Sequence, residues 1–257
     1  MASAVSVRPD GSRASVARDW VPEAPVALEY NGVSYAVMMA TPADLDDFVA
    51  GFALTEGLAE GLRELSGLSA SETPLGWIAR ASLSGAGAGL IAERARARVA
   101  ESSCGLCGIE NLEALARPLP QVPPHAPLAE AALFRALAEL PQRQVLNRTT
   151  GAAHAAAFCD ADGAIVLLRE DVGRHNALDK LVGALTRAGR AAAPGFILST
   201  ARCSYEIVEK AVRSGATTLV TVSLPTSLAV ERARDAGLSL WALARPDSAL
   251  LVSDPRA

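Results

Sequence analysis

Residues 195–244 alternate in a way that few folds accommodate. Gly195-Phe196-Ile197-Leu198-Ser199 reads as a buried strand, and a helical pattern from Ser204 to Ser214 stops at Gly215. Thr217 to Ser223 is a second strand, Thr226 to Ala236 a second helix ended by Gly237, and Leu238 to Ala244 a third strand. Strands joined through helices by short links must run parallel, so the pattern predicts a parallel sheet covered by helices. Ligands of such sheets sit outside the carboxyl ends of the strands. Here those ends carry Ser199, Thr200 and Arg202, then Ser223, Pro225 and Thr226, then Arg245 and Asp247. Hydroxyls and arginines beside helix N-termini suit a nucleotide or phosphate. The plain alternative is that Ser204 and Thr226 only cap helices.

Upstream the signals change. Val26 to Tyr30 and Val33 to Met39 flank Asn31-Gly32, the pair that a type I′ hairpin turn demands. Thr41 as N-cap and Pro42 at the first helical position predict a helix with Leu45, Phe48, Val49 and Phe52 on its core face and Gly57 as its stop. Residues 60–100 are less legible. Gly85, Gly87 and Gly89 read as a turn, since no Lys-Ser/Thr follows to make a phosphate loop. The alternation from Arg94 to Val99 suggests a strand. Five prolines from Pro118 to Pro127 mark a connector, followed by a helical pattern from Leu128 to Leu140. His154 to Phe158 and Ala164 to Leu168 look like paired strands about an Asp160-to-Gly163 turn, and a helix with Leu178, Leu181, Val182 and Leu185 on one face follows.

Composition excludes several classes. With 257 residues, half of them apolar, the chain can bury a large core without disulfides. A net charge of −4 argues against broad nucleic-acid binding by a basic face. No apolar run reaches membrane-spanning length, and Met1 to Asp19 reads as a mobile tail rather than a signal peptide. A cytoplasmic protein with no nucleic-acid and no membrane partner is the resulting expectation.

Two of the four cysteines lie in one turn, Ser103-Cys104-Gly105-Leu106-Cys107-Gly108. A thiol near a helix N-terminus is favoured as thiolate, and a second thiol three positions on can attack whatever the first carries. Disulfide exchange, half of a zinc site, sulfur carriage as a persulfide and inertness all use such a pair. Zinc needs two further matched ligands, and Cys159, Cys203, His125, His154 and His175 supply none at suitable spacing. Cys159 and Cys203 read as core residues. A second dense cluster, Arg169 to Lys180, leads from a strand into a helix. It is either a salt-bridged helix entrance or a pocket wall in which Asp171, Arg174 and His175 bind polar groups of a ligand, with His154 facing the same cavity.

Taken together the motifs resemble those of the FdhD family, sulfur carrier proteins required for formate dehydrogenase activity. The matching blocks are Thr41 to Leu45 through Gly57, Ser103 to Gly108, Thr150 to Ala156, Glu170 to Lys180, Ser204 to Lys210 and Pro225 to Ala229. The resemblance implies a protein that takes sulfur from a cysteine desulfurase and holds it as a persulfide on Cys104, with Cys107 assisting. It passes that sulfur to the molybdenum cofactor, bis(molybdopterin guanine dinucleotide), for formate dehydrogenase. It further implies cofactor binding at Leu243, Ala244, Arg245, Pro246, Asp247 and Ser248, a homodimer, and an α/β, cytidine-deaminase-like three-layer fold without the zinc. The family commonly has an aromatic residue where Leu243 stands and a glycine where Asp247 stands.

The expected organisation is a flexible tail over residues 1–20 and an N-terminal α+β part over 21–117 that ends in the Cys104/Cys107 loop. A proline-rich connector and helix over 118–148 lead to a cofactor-binding α/β part over 149–257. Two rival functions remain open at this point: a cofactor-binding chaperone without sulfur transfer, and a dithiol oxidoreductase.

Overall fold

The computed structural model describes residues 2–91 and 118–256. The strand expected at Arg94 to Val99 and the Cys104/Cys107 loop lie outside the described residues.

The first strands are β1 (Ala2–Val7) and β2 (Arg13–Arg18), an antiparallel hairpin where the sequence suggests only a tail. Next come β3 (Ala24–Tyr30) and β4 (Val33–Ala40), whose turn places Asn31 at φ 52 and Gly32 at φ 78, as its type requires. β5 (Leu65–Thr73) and β6 (Gly76–Leu83) complete a four-stranded sheet in the order β4-β3-β6-β5. Helix α1 (Leu45–Thr55) covers it, packing Phe48, Val49 and Phe52 against Val26, Leu28, Tyr30 and Tyr35.

α1 begins three residues later than expected. Asp44 occupies the N-cap at φ 54 without a side-chain cap bond, and Thr41 does not cap the helix at all. Its hydroxyl instead accepts the Val172 N–H at 3.1 Å, a contact 131 residues away in sequence.

The second half starts with the connector. Val122 N–H donates to Ala236 O, and the Gln121 amide donates to Asp235 O, which pins the connector against the C-terminal part. Then come α2 (Glu130–Arg143), α3 (Val145–Thr150), β7 (His154–Cys159), β8 (Ile165–Asp171), α4 (Arg174–Arg187), β9 (Phe196–Ser199), α5 (Tyr205–Arg213), β10 (Thr218–Thr221), α6 (Ser227–Ala236), β11 (Ser239–Ala242) and β12 (Leu250–Ser253).

These strands form a six-stranded sheet ordered β12-β11-β10-β9-β7-β8. The expected parallel arrangement is its centre, β9-β10-β11; β7, β8 and β12 add antiparallel margins. One face packs Phe158, Ile197, Leu219 and Leu240 against α4, α5 and α6. The other packs Cys159, Phe196, Leu198 and Val220 against Leu133, Ala136 and Leu137 of α2. The result is a three-layer α/β unit, with the α1-covered sheet docked on α4 as the smaller α+β part.

The α1–α4 junction is polar as well as close. Asp47 accepts from Arg169 Nε of β8 at 2.8 Å and contacts Arg187 of α4. One turn on, Gly51 meets the Asp179 and Gly183 backbone, and after another turn Thr55 donates to Asp179 at 2.6 Å. Lys210 of α5 completes this second knot, donating to Asp179 Oδ1 at 2.9 Å and to Glu56 at 3.1 Å. Spacing by four residues puts Asp47, Gly51 and Thr55 on one stripe, beside the apolar stripe facing the sheet.

Candidate functional site

Strand direction decides which residues gather. β9, β10 and β11 end at the edge where antiparallel β7 starts and β8 ends, because His154 pairs with Asp171 and the Thr200 N–H bonds Ala155 O. The same edge receives the N-termini of α4, α5 and α6, whose N-caps are Gly173, Ser204 and Thr226. His154, Asp171, Arg174, His175, Ser199, Thr226 and the Leu243–Ser248 loop, scattered over 95 positions in sequence, therefore lie along one rim.

They do different work there. Asp171 is fully buried, and both of its oxygens are occupied within the protein. Oδ1 accepts Gly173 N–H at 2.7 Å and Asn176 Nδ2 at 3.0 Å, while Oδ2 accepts Thr41 N–H at 3.0 Å and Lys180 Nζ at 2.5 Å. It supports the rim and is not free to hold a ligand, contrary to the sequence expectation. Ser199 is 1% exposed and its hydroxyl accepts the Ala201 N–H, so it too is internal. Thr226 is exposed, and its hydroxyl caps α6 by accepting the Ala229 N–H at 3.2 Å, the plain alternative for this residue. Ala244 is 1% exposed and packs on the α2 side of the sheet.

Other groups face the rim without protein partners. Arg174 Nε and Ser204 Oγ are buried atoms with no hydrogen bond among the described residues. Unpaired buried polar atoms are costly and uncommon in native proteins. His175 Nε2 lies 3.1 Å from Glu206 Oε2 of α5, close enough for ion pairing but out of line for a hydrogen bond. His154 is half-buried, and its pKa is held below the ordinary 6.5 by burial first and then by the positive charges of Arg174, His175 and Arg202. Asp171 opposes that shift. A neutral imidazole set among cations marks a local positive field on a chain of net charge −4.

The Leu243–Ser248 loop closes the rim beyond β11. Leu243 N–H bonds Ser223 O, Ala244 N–H bonds Thr221 O, and Arg245 N–H bonds Ser248 O at 2.7 Å in a tight turn. Leu243 sits at φ 46, a region that L residues enter at a cost of order 1 kcal/mol and that collects at functional loops. Arg245, Pro246, Asp247 and Ser248 are exposed on this turn.

The plain alternative made caps of both Ser204 and Thr226; Ser204 stands at the N-cap of α5, but its unpartnered hydroxyl sets it apart from Thr226. Sequence reasoning missed Glu206 as the partner of His175 and Thr41 as the support of the α4 entrance. An apolar cavity of about 460 Å³ lies elsewhere, at the opposite ends of the strands, lined by Pro124, Pro127, Pro194, Phe196, Thr217 and Thr218. It shares no residue with the rim.

Cys159 and Cys203 are 0% exposed, and burial pushes both thiols up to about 12. Neither is a nucleophile at neutral pH. Cys104 and Cys107 fall outside the described residues. Among the described residues, no cluster of three or more His, Cys, Asp or Glu could hold a metal ion. No helix there is long and apolar enough to cross a membrane.

The chemistry of the rim suits an anion: the α5 N-terminus has no side-chain cap, and an arginine Nε and a serine hydroxyl have no hydrogen-bond partner among the described residues.

Comparisons with known proteins extend this picture. A protein of Variovorax paradoxus (strain S110) named sulfur carrier protein FdhD is 47% identical over 239 residues, covering 93% of this chain and 86% of the relative. One of the same name from Bordetella bronchiseptica is 42% identical over 234 residues, covering 91% and 85%. The crystal structure of a protein from Desulfotalea psychrophila, described as a formate dehydrogenase accessory protein, superposes with a TM-score of 0.76 at 25% identity, covering 99% of this chain and 96% of that one. The profile of the FdhD/NarQ family matches residues 21–257, everything after the first hairpin, and with relatives at 42–47% identity it follows that the chain belongs to the FdhD/NarQ family.

Proposed function

We propose that this chain is a sulfurtransferase: it carries sulfur as a persulfide on Cys104 and delivers it to the molybdenum cofactor, bis(molybdopterin guanine dinucleotide), needed by formate dehydrogenase. Loading is an exchange in which the Cys104 thiolate attacks the terminal sulfur of a desulfurase persulfide. One S–S bond breaks, one forms, and the desulfurase regains its thiolate. If Cys107 then attacks the inner sulfur, hydrosulfide leaves and a Cys104–Cys107 disulfide remains, to be reset by a cellular dithiol. The cofactor is cargo, held while sulfur is delivered.

The observation that carries this reading is the rim with its orphaned Arg174 Nε and Ser204 Oγ beside helix N-termini. Such donors match the pyrophosphate of a dinucleotide. Arg174, Arg202 and Arg245 would balance the phosphate charge, and His154 would add a donor as it protonates. The expected setting is the cytoplasm, with a cysteine desulfurase and formate dehydrogenase as partners and a homodimer as the working form.

The test is mass spectrometry after incubation with a cysteine desulfurase and cysteine. A gain of one sulfur mass, about 32 Da, on the peptide containing Cys104 is expected, and Cys104→Ala abolishes it and fails to restore formate dehydrogenase in a deletion strain. No gain would leave a cofactor chaperone. A stable disulfide that turns over with a substrate would leave a dithiol oxidoreductase.

A further inference from the structure

Thr41 stands at the end of β4, 4% exposed, and touches the start of α4 through three atoms. Its N–H donates to Asp171 Oδ2 at 3.0 Å, its Oγ1 accepts the Val172 N–H at 3.1 Å, and its carbonyl accepts Lys180 Nζ at 2.8 Å. Around it every residue of the turn but two is tied down. Asp171 Oδ1 holds Gly173 N–H and Asn176 Nδ2, and Asn176 Nδ2 also reaches Met39 O at 2.9 Å. A Cβ on Gly173 would lie 2.5 Å from Asn176 Nδ2, so a side chain there would displace the amide that holds the turn. The two residues left over are Arg174, whose Nε has no hydrogen bond among the described residues, and His175, whose Nε2 has only the Glu206 carboxylate beside it at 3.1 Å.

A turn fixed at residues 171, 172, 173, 176 and 180 leaves Arg174 and His175 little choice of direction. Asp171, Asn176 and Lys180 supply the glue; the Thr41 hydroxyl adds the one contact to the Val172 N–H, next to the residues that must be aimed. We propose that Thr41 is a positioning residue, whose hydroxyl sets the orientation of Arg174 and His175 at the anion-binding rim. It acts through the Val172 amide and, being buried, touches no ligand itself. This assignment rests on the reading of the rim as the nucleotide-binding edge of the proposed sulfurtransferase. It also makes the helix α1 sheet, from which the chain leads on toward Cys104, a determinant of cofactor geometry.

Thr41→Val keeps the branched shape and both backbone contacts but removes the acceptor; Thr41→Ser keeps the acceptor. The full-length chain is titrated with guanosine diphosphate as a probe, by calorimetry, and the His154 imidazole is titrated by NMR without ligand. Thr41→Val is expected to weaken binding of the probe about tenfold, the scale of one hydrogen bond, with Thr41→Ser within about twofold of wild type. The His154 midpoint, depressed in part by Arg174 and His175, is expected to rise toward the ordinary value in Thr41→Val and to return in Thr41→Ser.

Wild-type probe affinity and an unmoved His154 midpoint in Thr41→Val overturn the proposal. So does a loss of binding that tracks a fall in thermal midpoint and that serine fails to rescue, which is a merely structural role. If the wild-type protein does not bind guanosine diphosphate, the nucleotide reading of the rim fails separately, and the His154 midpoint alone decides Thr41. Should Thr41→Val not fold, Thr41→Ala removes the same acceptor and takes its place in both measurements.

Discussion

Gly51 of α1 and Gly183 of α4 meet backbone to backbone: a Cβ on Gly51 would overlap the Asp179 carbonyl, and one on Gly183 would overlap the Asp47 carbonyl. Neither overlap involves a flexible side-chain end that could move aside. The two helices approach this closely because each offers a glycine to the other's backbone, and the carboxylates of Asp47 and Asp179 then reach their partners on the far helix. Gly51→Ala and Gly183→Ala should each separate α1 from α4, at a cost of at least the roughly 1–3 kcal/mol of an overpacked core. Urea denaturation checks this, with a lowered midpoint expected for both variants and near wild-type stability ruling out the close approach.

The Asp171–Lys180 pair sets a second expectation. Both side chains are 0% exposed, and Lys180 also donates to Thr41 O. Replacing Lys180 by Met leaves a buried carboxylate with its countercharge gone, a change that costs about 3–5 kcal/mol. Asp171→Asn combined with Lys180→Met removes both charges and should cost less than the two single changes summed. Denaturant midpoints of the three variants test the coupling, and simple additivity would show that the pair is not coupled.

The main fold elements were legible because they repeat local rules. Each strand and helix after Gly195, and the Asn31-Gly32 turn, is specified by residues adjacent in sequence. β5 was not legible: Leu65–Thr73 is an edge strand, six of its nine residues exposed, and carries no apolar alternation. β12 is a short antiparallel closure with two exposed leucines, equally without a pattern. The rim divides in the same manner. Its members could be named from strand ends and motif, but which of them are held internally depended on contacts such as Thr41 to Asp171, 130 positions apart. Asp171 and Arg174 look equally polar in sequence; only the buried partners of the first separate them.

The two described thiols share one environment. Burial lifts Cys159 and Cys203 to about 12, so at pH 8 far fewer than one in a hundred of either is thiolate. Iodoacetamide applied to the native protein at pH 8 should leave both unmodified and label them only after denaturation. Peptide mass mapping reads this directly. Labelling of Cys203 in the native state would mean that the Cys203–Pro225 bridge between the α5 and α6 entrances opens readily.

His154 gives the rim a pH signature. Its folded value lies below that of the unfolded chain, where 6.5 is usual, because burial comes first and the Arg174 and His175 charges add to it. The neutral imidazole's contribution to stability is therefore complete above pH 6.5 and is lost as pH falls from 6.5 through the depressed folded value. Arg174→Gln removes one of the opposing charges and should move the midpoint up toward 6.5. A bound polyanion such as pyrophosphate should move it the same way, and by linkage pyrophosphate should bind more tightly as pH falls through this range. NMR titration of the imidazole, free and with pyrophosphate, measures both shifts. A midpoint indifferent to Arg174 and to the anion would mean that the charges at this edge do not act on a common ligand, and the rim would lose its claim as the cofactor site.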